Sequence, residues 1–385
     1  MLMDLALDEM HSRMAYLADT YTPYFVCSYA MHAFNIVNQK EQVYWEGKRL
    51  PSMRLHLIFI APPGYMKSYY MNNMGDRECG IFGGAKIQIG YKQSMSEAGL
   101  IGTIRVFEDV PYETEGIAKT YKEGILMVDE FSAITNAFKI SYNNQMDSQL
   151  LALLDHGRIF KDLAGGSIEY QSQMTLWGGV QPARYDFTSG MGRRMCFLLF
   201  LPTSVDNNNL MDIMSRTRNI RLNKGDMQQM WSKIDTWCDT LKQIKKIEFG
   251  DSVLKLYKDL RLNSFESPLF DRLLLGYHLA NYPADDTITV EATDPRLLEM
   301  VRREKRWRDD IVRGIPFIQI KRIICMCGVH KDGAYTISKK ALADEATMLG
   351  WNVQQVNELV QEMARCEMIR TRNSHVIMED ENADM

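Results

Sequence analysis

The spacing of apolar positions changes twice along the chain. Residues 1–45 carry them at three- and four-residue intervals, which predicts helix, with a break expected at Pro23 between Tyr21 and Tyr24. Beyond residue 50 the pattern becomes short continuous apolar runs, at 55–60, 85–90, 124–129, 174–180 and 195–201, separated by stretches of helical spacing. Runs of that length bounded by turns read as strands, and their alternation with helices predicts an α/β fold built on a doubly wound parallel sheet. Helical spacing returns from about 205 to 313, including 227–247 and 270–282. A last unit has helical stretches at 316–327, 338–349 and 353–366, then two alternating runs at 368–372 and 375–378, the layout of a winged helix. The expected organisation is an N-terminal helical segment (1–50), an α/β core (51–203), a helical lid (204–314), a winged-helix domain (315–380) and a polar tail (381–385) expected to be disordered.

Composition narrows the class. The 385 residues suffice for one large and one small domain with ample core. No run of about 18 apolar residues occurs, and Asp4, Asp8 and Glu9 stand where a signal peptide needs bases, so nothing targets the chain to a membrane and a cytoplasmic location is expected. Seven scattered cysteines, an odd number, suit a reducing compartment better than a disulfide framework. The net charge of −4 does not announce a nucleic-acid binder, so any DNA contact must come from local basic groups or from a ring that concentrates them. The 26 methionines read as soft core filler.

Two motifs carry chemistry. The run Leu55–Ile60 breaks at Ala61-Pro62-Pro63-Gly64-Tyr65-Met66 and ends on Lys67-Ser68, where a helix can begin. That is the layout of a phosphate-binding loop: the turn from Pro63 to Met66 would surround a triphosphate with the backbone N–H groups of Gly64, Tyr65 and Met66, Lys67 would neutralise its outer phosphates, and the Ser68 hydroxyl would ligand Mg²⁺. Ala61 and Met66 stand where the usual pattern has glycines. The plain alternative is a strand that turns at Pro62-Pro63-Gly64, with Lys67 a solvated helix-start residue. A second run, Ile125-Leu126-Met127-Val128, ends in Asp129-Glu130. In a parallel sheet this places both acids at the C-terminal strand edge, where such folds bind ligands. Asp129 would hold the Mg²⁺ shell and Glu130 would take a proton from the water attacking the γ-phosphate. With the loop 61 residues upstream of Asp129, the pair points to ATP and Mg²⁺ as cofactors of an ATPase. Gln181, after the run from Met174 to Val180, is placed to hydrogen-bond the γ-phosphate or the water; a plain strand-end amide is the alternative.

Between and beyond these motifs the chain resembles the minichromosome maintenance (MCM) helicases of the AAA+ class. Lys92-Gln93-Ser94-Met95-Ser96-Glu97-Ala98-Gly99-Leu100 is similar to that family's two serines before Gly-Leu-Thr, and Asp129-Glu130-Phe131 to its Asp-Glu-Phe. Leu150–Gly157 resembles the helix that follows, Ile159–Gly165 the pre-sensor hairpin, and Gly192-Arg193-Arg194-Met195 stands in the place of Ser-Arg-Phe. The segment Gly179-Val180-Gln181-Pro182 is similar to the sensor position of phage-encoded AAA+ helicase-like proteins. Two departures stand out: the sensor asparagine is Gln181, and 385 residues leave no room for the family's large N-terminal region. A compact helicase of a virus, plasmid or mobile element is therefore expected.

The resemblance implies further roles. Arg194 would reach across a subunit boundary as an arginine finger, with Arg193 second, or be a basic strand start. Arg272 would read nucleotide state from the lid, in competition with Arg296. Lys161 would lie on a hairpin pointing into the pore of a hexamer toward the phosphates of single-stranded or forked DNA, or be a solvated loop lysine. The ring and any replication partner proteins are implied by the family alone. Cys325, Cys327 and His330 do not suggest zinc, because residues two apart on a helix point to opposite sides. In the C-terminal unit 353–365 is rich in acid, so Lys339, Lys340, Arg370 and Arg372 are the better candidates for phosphate contacts, with a protein contact as the alternative. The competing function is an ATP-controlled switch, a DNA-binding loader or filament-forming regulator, which needs no pore lysine; a degenerate nucleotide-binding module with a structural role is a third.

Overall fold

Two helices, α1 (Leu2–Met14) and α2 (Leu17–Asn38), open the chain and meet at Ala15, whose φ is 47°. A computed structural model describes residues 1–38, 44–45, 48–49, 53–62, 64, 67–108, 110–131, 145–163, 166–181, 192–202, 204–217, 224–264, 266–313, 315–349, 351–365 and 368–380. The expected tail at 381–385 and the loop residues Pro63, Tyr65 and Met66 lie outside them. The break expected at Pro23 is not there: Pro23 lies inside α2. Buried Tyr21, Tyr24 and Phe25 hold this turn to the core, so packing outweighs the one hydrogen bond that proline removes.

By contacts the chain divides into two compact units, one from residues within 1–60, 66–198 and 220–305, the other from residues within 61–65, 199–219 and 306–385. In the first, β1 (His56–Ile60) precedes α3 (Lys67–Gly75), β2 (Ile89–Lys92) and an antiparallel hairpin of β3 (Gly102–Phe107) with β4 (Val110–Glu115). Then come β5 (Ile125–Val128), α4 (Gln145–Asp155), a second hairpin of β6 (Arg158–Leu163) with β7 (Gly166–Gln171), β8 (Thr175–Val180) and β9 (Met195–Leu199). The central sheet has five strands in the order β9-β1-β8-β5-β2. The pairings of β8 with β1, β8 with β5 and β2 with β5 are parallel. Strands β1, β5, β8 and β9 are buried throughout, which explains their unbroken apolar sequences.

Aromatic rings from α2 fill one side of this sheet. Phe25 meets Trp177 edge-on at 5.0 Å and stacks on Tyr70 at 5.7 Å, and the Trp177 indole donates to the Ser28 hydroxyl at 2.8 Å. Helices α5 (Lys224–Thr240), α6 (Ser267–Asn281) and α7 (Pro295–Arg313) follow, with α6 packed along α2. The region expected to be wholly helical also holds two parallel strands, Lys246–Phe249 and Thr287–Val290. They alternate around Ile247 and Phe249 in the first and Ile288 and Val290 in the second, a two-residue period that the neighbouring helical pattern concealed.

The second unit is built on α8 (Ile315–Cys327), β10 (Val329–Lys331), β11 (Ala334–Ser338), α9 (Lys339–Met348), α10 (Val353–Arg365), β12 (Arg370–Arg372) and β13 (His375–Glu379). Its sheet is antiparallel in the order β10-β11-β13-β12. Ile320, Ile324, Leu342, Val356, Val360, Met363 and Val376 form its core. Three helices and the C-terminal hairpin match expectation, whereas β10 and β11 are additional to it.

Buried polar groups tie the core sheet to its neighbours. Arg54 donates to the carbonyls of Met174 at 2.7 Å, Leu153 at 2.9 Å and Leu154 at 3.1 Å, and burial pulls its pKa down to about 9. His56 bridges the Leu154 carbonyl at 3.0 Å and the Leu176 N–H at 3.0 Å, so it is neutral with its proton on Nε2. His32 spans the Thr175 hydroxyl and the Glu123 carbonyl in the same way, and burial pushes its pKa down to about 4. Both rings are neutral when folded, whereas the unfolded chain takes up protons below about pH 6.5. Stability is therefore expected to fall as pH drops from 6.5 toward 4, by ~3 kcal/mol for His32 alone. Urea unfolding midpoints at pH 7 and pH 5 check this, and His32→Gln should flatten the dependence.

Candidate functional site

The register of the central sheet decides what meets at its C-terminal edge. Val180 lies opposite Ile60, and Gly178 and Lys92 lie opposite Val128. The residues just after β1, β8 and β5 therefore emerge side by side, with β8 between the other two. Asp129 and Glu130 leave β5 under backbone control: their N–H groups donate to the carbonyls of Lys92 at 3.0 Å and Gln93 at 2.8 Å, and the Phe131 N–H donates to Gly179 at 2.9 Å.

Lys67, the first residue of α3, lies buried over β8 with only 7% of its surface exposed. Its ammonium donates to the Asp129 carbonyl at 2.8 Å and lies 3.4 Å from Asp129 Oδ1 and 3.8 Å from Glu130 Oε1. A buried ammonium costs several kcal/mol unless paired, and these three oxygens supply the pairing. The Ser68 hydroxyl donates to the Asp129 carboxylate, 2.6 Å from Oδ1 and 2.7 Å from Oδ2. The Gln181 amide donates to Glu130 Oε1 at 3.2 Å. Lys67, Ser68, Asp129, Glu130 and Gln181, inferred separately from the sequence, thus form one cluster of one cation against two acids. Gly64, a described member of the loop, has φ 82°, a left-handed conformation suited to glycine, with open space where a Cβ would stand.

Two residues of the cluster were not anticipated. The Tyr91 hydroxyl donates to Asp129 Oδ2 at 3.4 Å, and partial burial with Asp129 beside it raises the phenol pKa. Gly179 is the floor on which Lys67 lies: a Cβ there would stand 2.6 Å from the Asp129 carbonyl and 2.9 Å from Lys67 Cδ. The Gly178-Gly179 pair inside an apolar strand was the available signal, since glycine in a buried strand marks a close approach.

An oxygen-only pair of ligands, Asp129 and Ser68, suits Mg²⁺, which keeps most of its water and takes one or two carboxylates beside substrate phosphates. Among the described residues no three His, Cys, Asp or Glu side chains gather as a self-sufficient metal cluster.

The arginines fall elsewhere. Arg194 is buried and forms an ion pair with Asp155 of its own chain, at the end of α4. Arg272 donates to the Arg54 carbonyl at 3.3 Å; burial pulls its pKa down, while Asp155 and Asp271 oppose that shift. Arg194 and Arg272 thus share the field of Asp155. Their competitors differ: Arg193 is exposed, and Arg296 is exposed in the first turn of α7, its backbone N–H held by Asp294 at 2.8 Å. Lys161 lies on β6 opposite Ile168, on the expected hairpin, and is half-buried, next to Phe160, which is 48% exposed. The β3–β4 hairpin was not expected, although the alternation Thr103-Ile104-Arg105-Val106 before Glu108-Asp109 signals it.

Gly179→Ala is expected to lower stability by roughly 1–3 kcal/mol, because the methyl meets backbone that cannot yield. Gly192→Ala, with open space at its Cβ, should stay within about 0.5 kcal/mol. Urea unfolding of the two variants measures the difference.

Compared with known proteins, the chain matches no family model and no curated protein.

Proposed function

We propose that the chain is an ATP-hydrolysing AAA+ motor, similar to the MCM helicases, that forms a homo-oligomeric ring and moves on DNA. One observation carries this reading: Lys67, Ser68, Asp129, Glu130 and Gln181 converge at the C-terminal edge of a parallel sheet. The buried ammonium of Lys67 neutralises the outer phosphates of ATP, exchanging its present oxygen partners for theirs. Asp129 and Ser68 hold the Mg²⁺, which supplies charge neutralisation at the phosphates. Glu130 accepts the proton of the attacking water, and Gln181, already bonded to Glu130, orients that water or the γ-phosphate. Arg194 serves a neighbouring subunit's nucleotide, Arg272 reads nucleotide state, and Lys161 meets DNA phosphates from its hairpin. The C-terminal unit is read as a winged helix, and replication proteins are the expected further partners.

The second reading, an ATP-controlled switch without strand displacement, is favoured by the half-burial of Lys161 beside Asp162, a poor grip on a phosphate backbone. Hydrolysis measured with and without single-stranded DNA, together with displacement on a forked duplex, separates the two. DNA-stimulated hydrolysis with displacement is expected; stimulation without displacement on any fork selects the switch.

The cluster itself makes a sharper prediction. Glu130→Gln should still bind ATP in calorimetry but hydrolyse it about 10²–10⁴-fold more slowly, because the proton acceptor is gone and the phosphate contacts remain. Lys67→Ala should lose ATP binding. Native-rate hydrolysis by Glu130→Gln would move the base elsewhere, and undiminished binding by Lys67→Ala would end the phosphate-loop reading.

A further inference from the structure

We propose that the C-terminal unit carries its own nucleic-acid contact, a phosphate-binding patch formed by Lys339, Lys340 and Arg372 where the tip of the β12–β13 hairpin meets the start of α9. The hairpin fixes the arrangement. Ser338, the last residue of β11, lies opposite His375 on β13, and Arg372 lies opposite His375 from the other side. The Lys339 N–H donates to the Ser374 carbonyl at 2.7 Å, and the Ser338 hydroxyl accepts from the Ala341 N–H at 3.1 Å. The hairpin tip is thereby tied to the first turn of α9, which begins Lys339-Lys340. Both lysines and every residue from 370 to 375 are exposed.

The charges are placed as a ligand site requires and as the fold does not. Two lysines in a helix's first turn oppose its dipole, and that turn holds no acid. Among the described residues no carboxylate pairs with Lys339, Lys340 or Arg372; Asp344, one turn beyond Lys340, forms no ion pair with it. Arg370, one of the four bases singled out in the sequence, differs: it pairs with Glu379 at 3.0 Å and drops out of the patch. The acids Asp332, Glu379 and Asp380 gather at the other end of the sheet, where Asp380 pairs with His330 at 2.9 Å and its N–H donates to Gly333. Three cations without an ion-pair partner among the described residues therefore stand at one end of the sheet, and the acids Asp332, Glu379 and Asp380 at the other.

The patch suits a phosphate backbone better than an acidic protein surface. Protein interfaces rely on apolar anchors at their centre. Among the described residues from 315 to 380 the large exposed apolar side chains, Met326, Val329, Met348 and Val353, all lie outside 338–340 and 370–375. Beside the cations stand the small polar groups Thr371, Asn373 and Ser374, with exposed His375 opposite Arg372, all groups that suit phosphate and sugar oxygens. Helix α10 offers exposed Gln354, Gln355 and Glu358, and the acid there opposes a groove approach. The contact is consequently electrostatic and indifferent to sequence. It requires neither ATP nor hydrolysis, so it stands or falls apart from the function proposed above.

The test uses the whole chain without nucleotide and a fluorescent 30-base-pair duplex of arbitrary sequence, with affinity followed by anisotropy across a salt series. The variant combining Lys339→Ala, Lys340→Ala and Arg372→Ala should bind more weakly at low salt, by about tenfold or more. Its log–log salt slope should be shallower by about two to three, near 0.9 for each duplex phosphate that the variant no longer neutralises. Arg370→Ala should stay near wild type, since Glu379 already holds that charge. The assay contains no nucleotide, which keeps this result independent of the ATP site. Should the triple variant melt below the native temperature, Arg372→Ala and Arg372→Glu alone should weaken binding in that order. An unchanged slope in a folded variant, or no binding by the wild type, overturns the proposal. So does unaltered DNA binding combined with abolished binding to poly-glutamate, which would assign the patch to an acidic protein.

Discussion

A buried ammonium is the constraint around which the first unit is organised. Lys67 sits at the start of α3, almost closed to solvent, and is held by the backbone carbonyl of Asp129 as well as by the carboxylates of Asp129 and Glu130. Leaving such a charge unpaired costs several kcal/mol. The position of its partners is accordingly fixed by backbone, through the Asp129 and Glu130 N–H groups on the β2 end and the Phe131 N–H on β8. The strand between loop and acids must be flat, and Gly179 makes it so. One side chain is thereby matched to partners held by the strand ends and to the glycine beneath it.

Beneath this edge a second set of buried polar groups holds the sheet to its surroundings. Arg54 directs its donors to three carbonyls, two of them at the end of α4, and His56 shares one of these. Carbonyls at a helix C-terminus lack partners within the helix, and a guanidinium beside them answers both that need and the negative end of the dipole. Asp155, the last residue of α4, is an acid where the dipole disfavours one, so Arg194 and the field of Arg272 are what keep it there.

How much of this was legible follows from length scale. Strands β1, β5, β8 and β9 announced themselves because burial on both faces leaves no polar interruption, and the acids after β5 followed from the end of the run. The run expected at 85–90 shifts to Ile89–Lys92, because 77–87 turns tightly and β2 is half exposed at its end. Pro23 misled because the packing of Tyr21, Tyr24 and Phe25 around it, which holds the helix through the proline, is not visible in the local sequence. The short strands at 246–249, 287–290, 329–331 and 334–338 are held by pairing partners, most of them distant in sequence. The pairings Arg194–Asp155 and Tyr91–Asp129 join residues 39 and 38 apart. Periodicity says nothing about such contacts, so the cluster's members could be read individually while their bonds could not.

The Arg194–Asp155 pair bears on any motor reading of the molecule. Withdrawing Arg194 from this part-buried pair leaves Asp155 without its partner, at a cost limited by the water that reaches the acid, whose side chain is 32% exposed. A guanidinium serving a neighbouring nucleotide must either leave Asp155 or bring it along, and neither is favourable until a phosphate oxygen takes the carboxylate's place. Arg272 softens that exchange: it shares the field of Asp155, so the acid retains a cation when Arg194 turns away. A buried guanidinium is thereby held by one acid that also lies in the field of a second arginine.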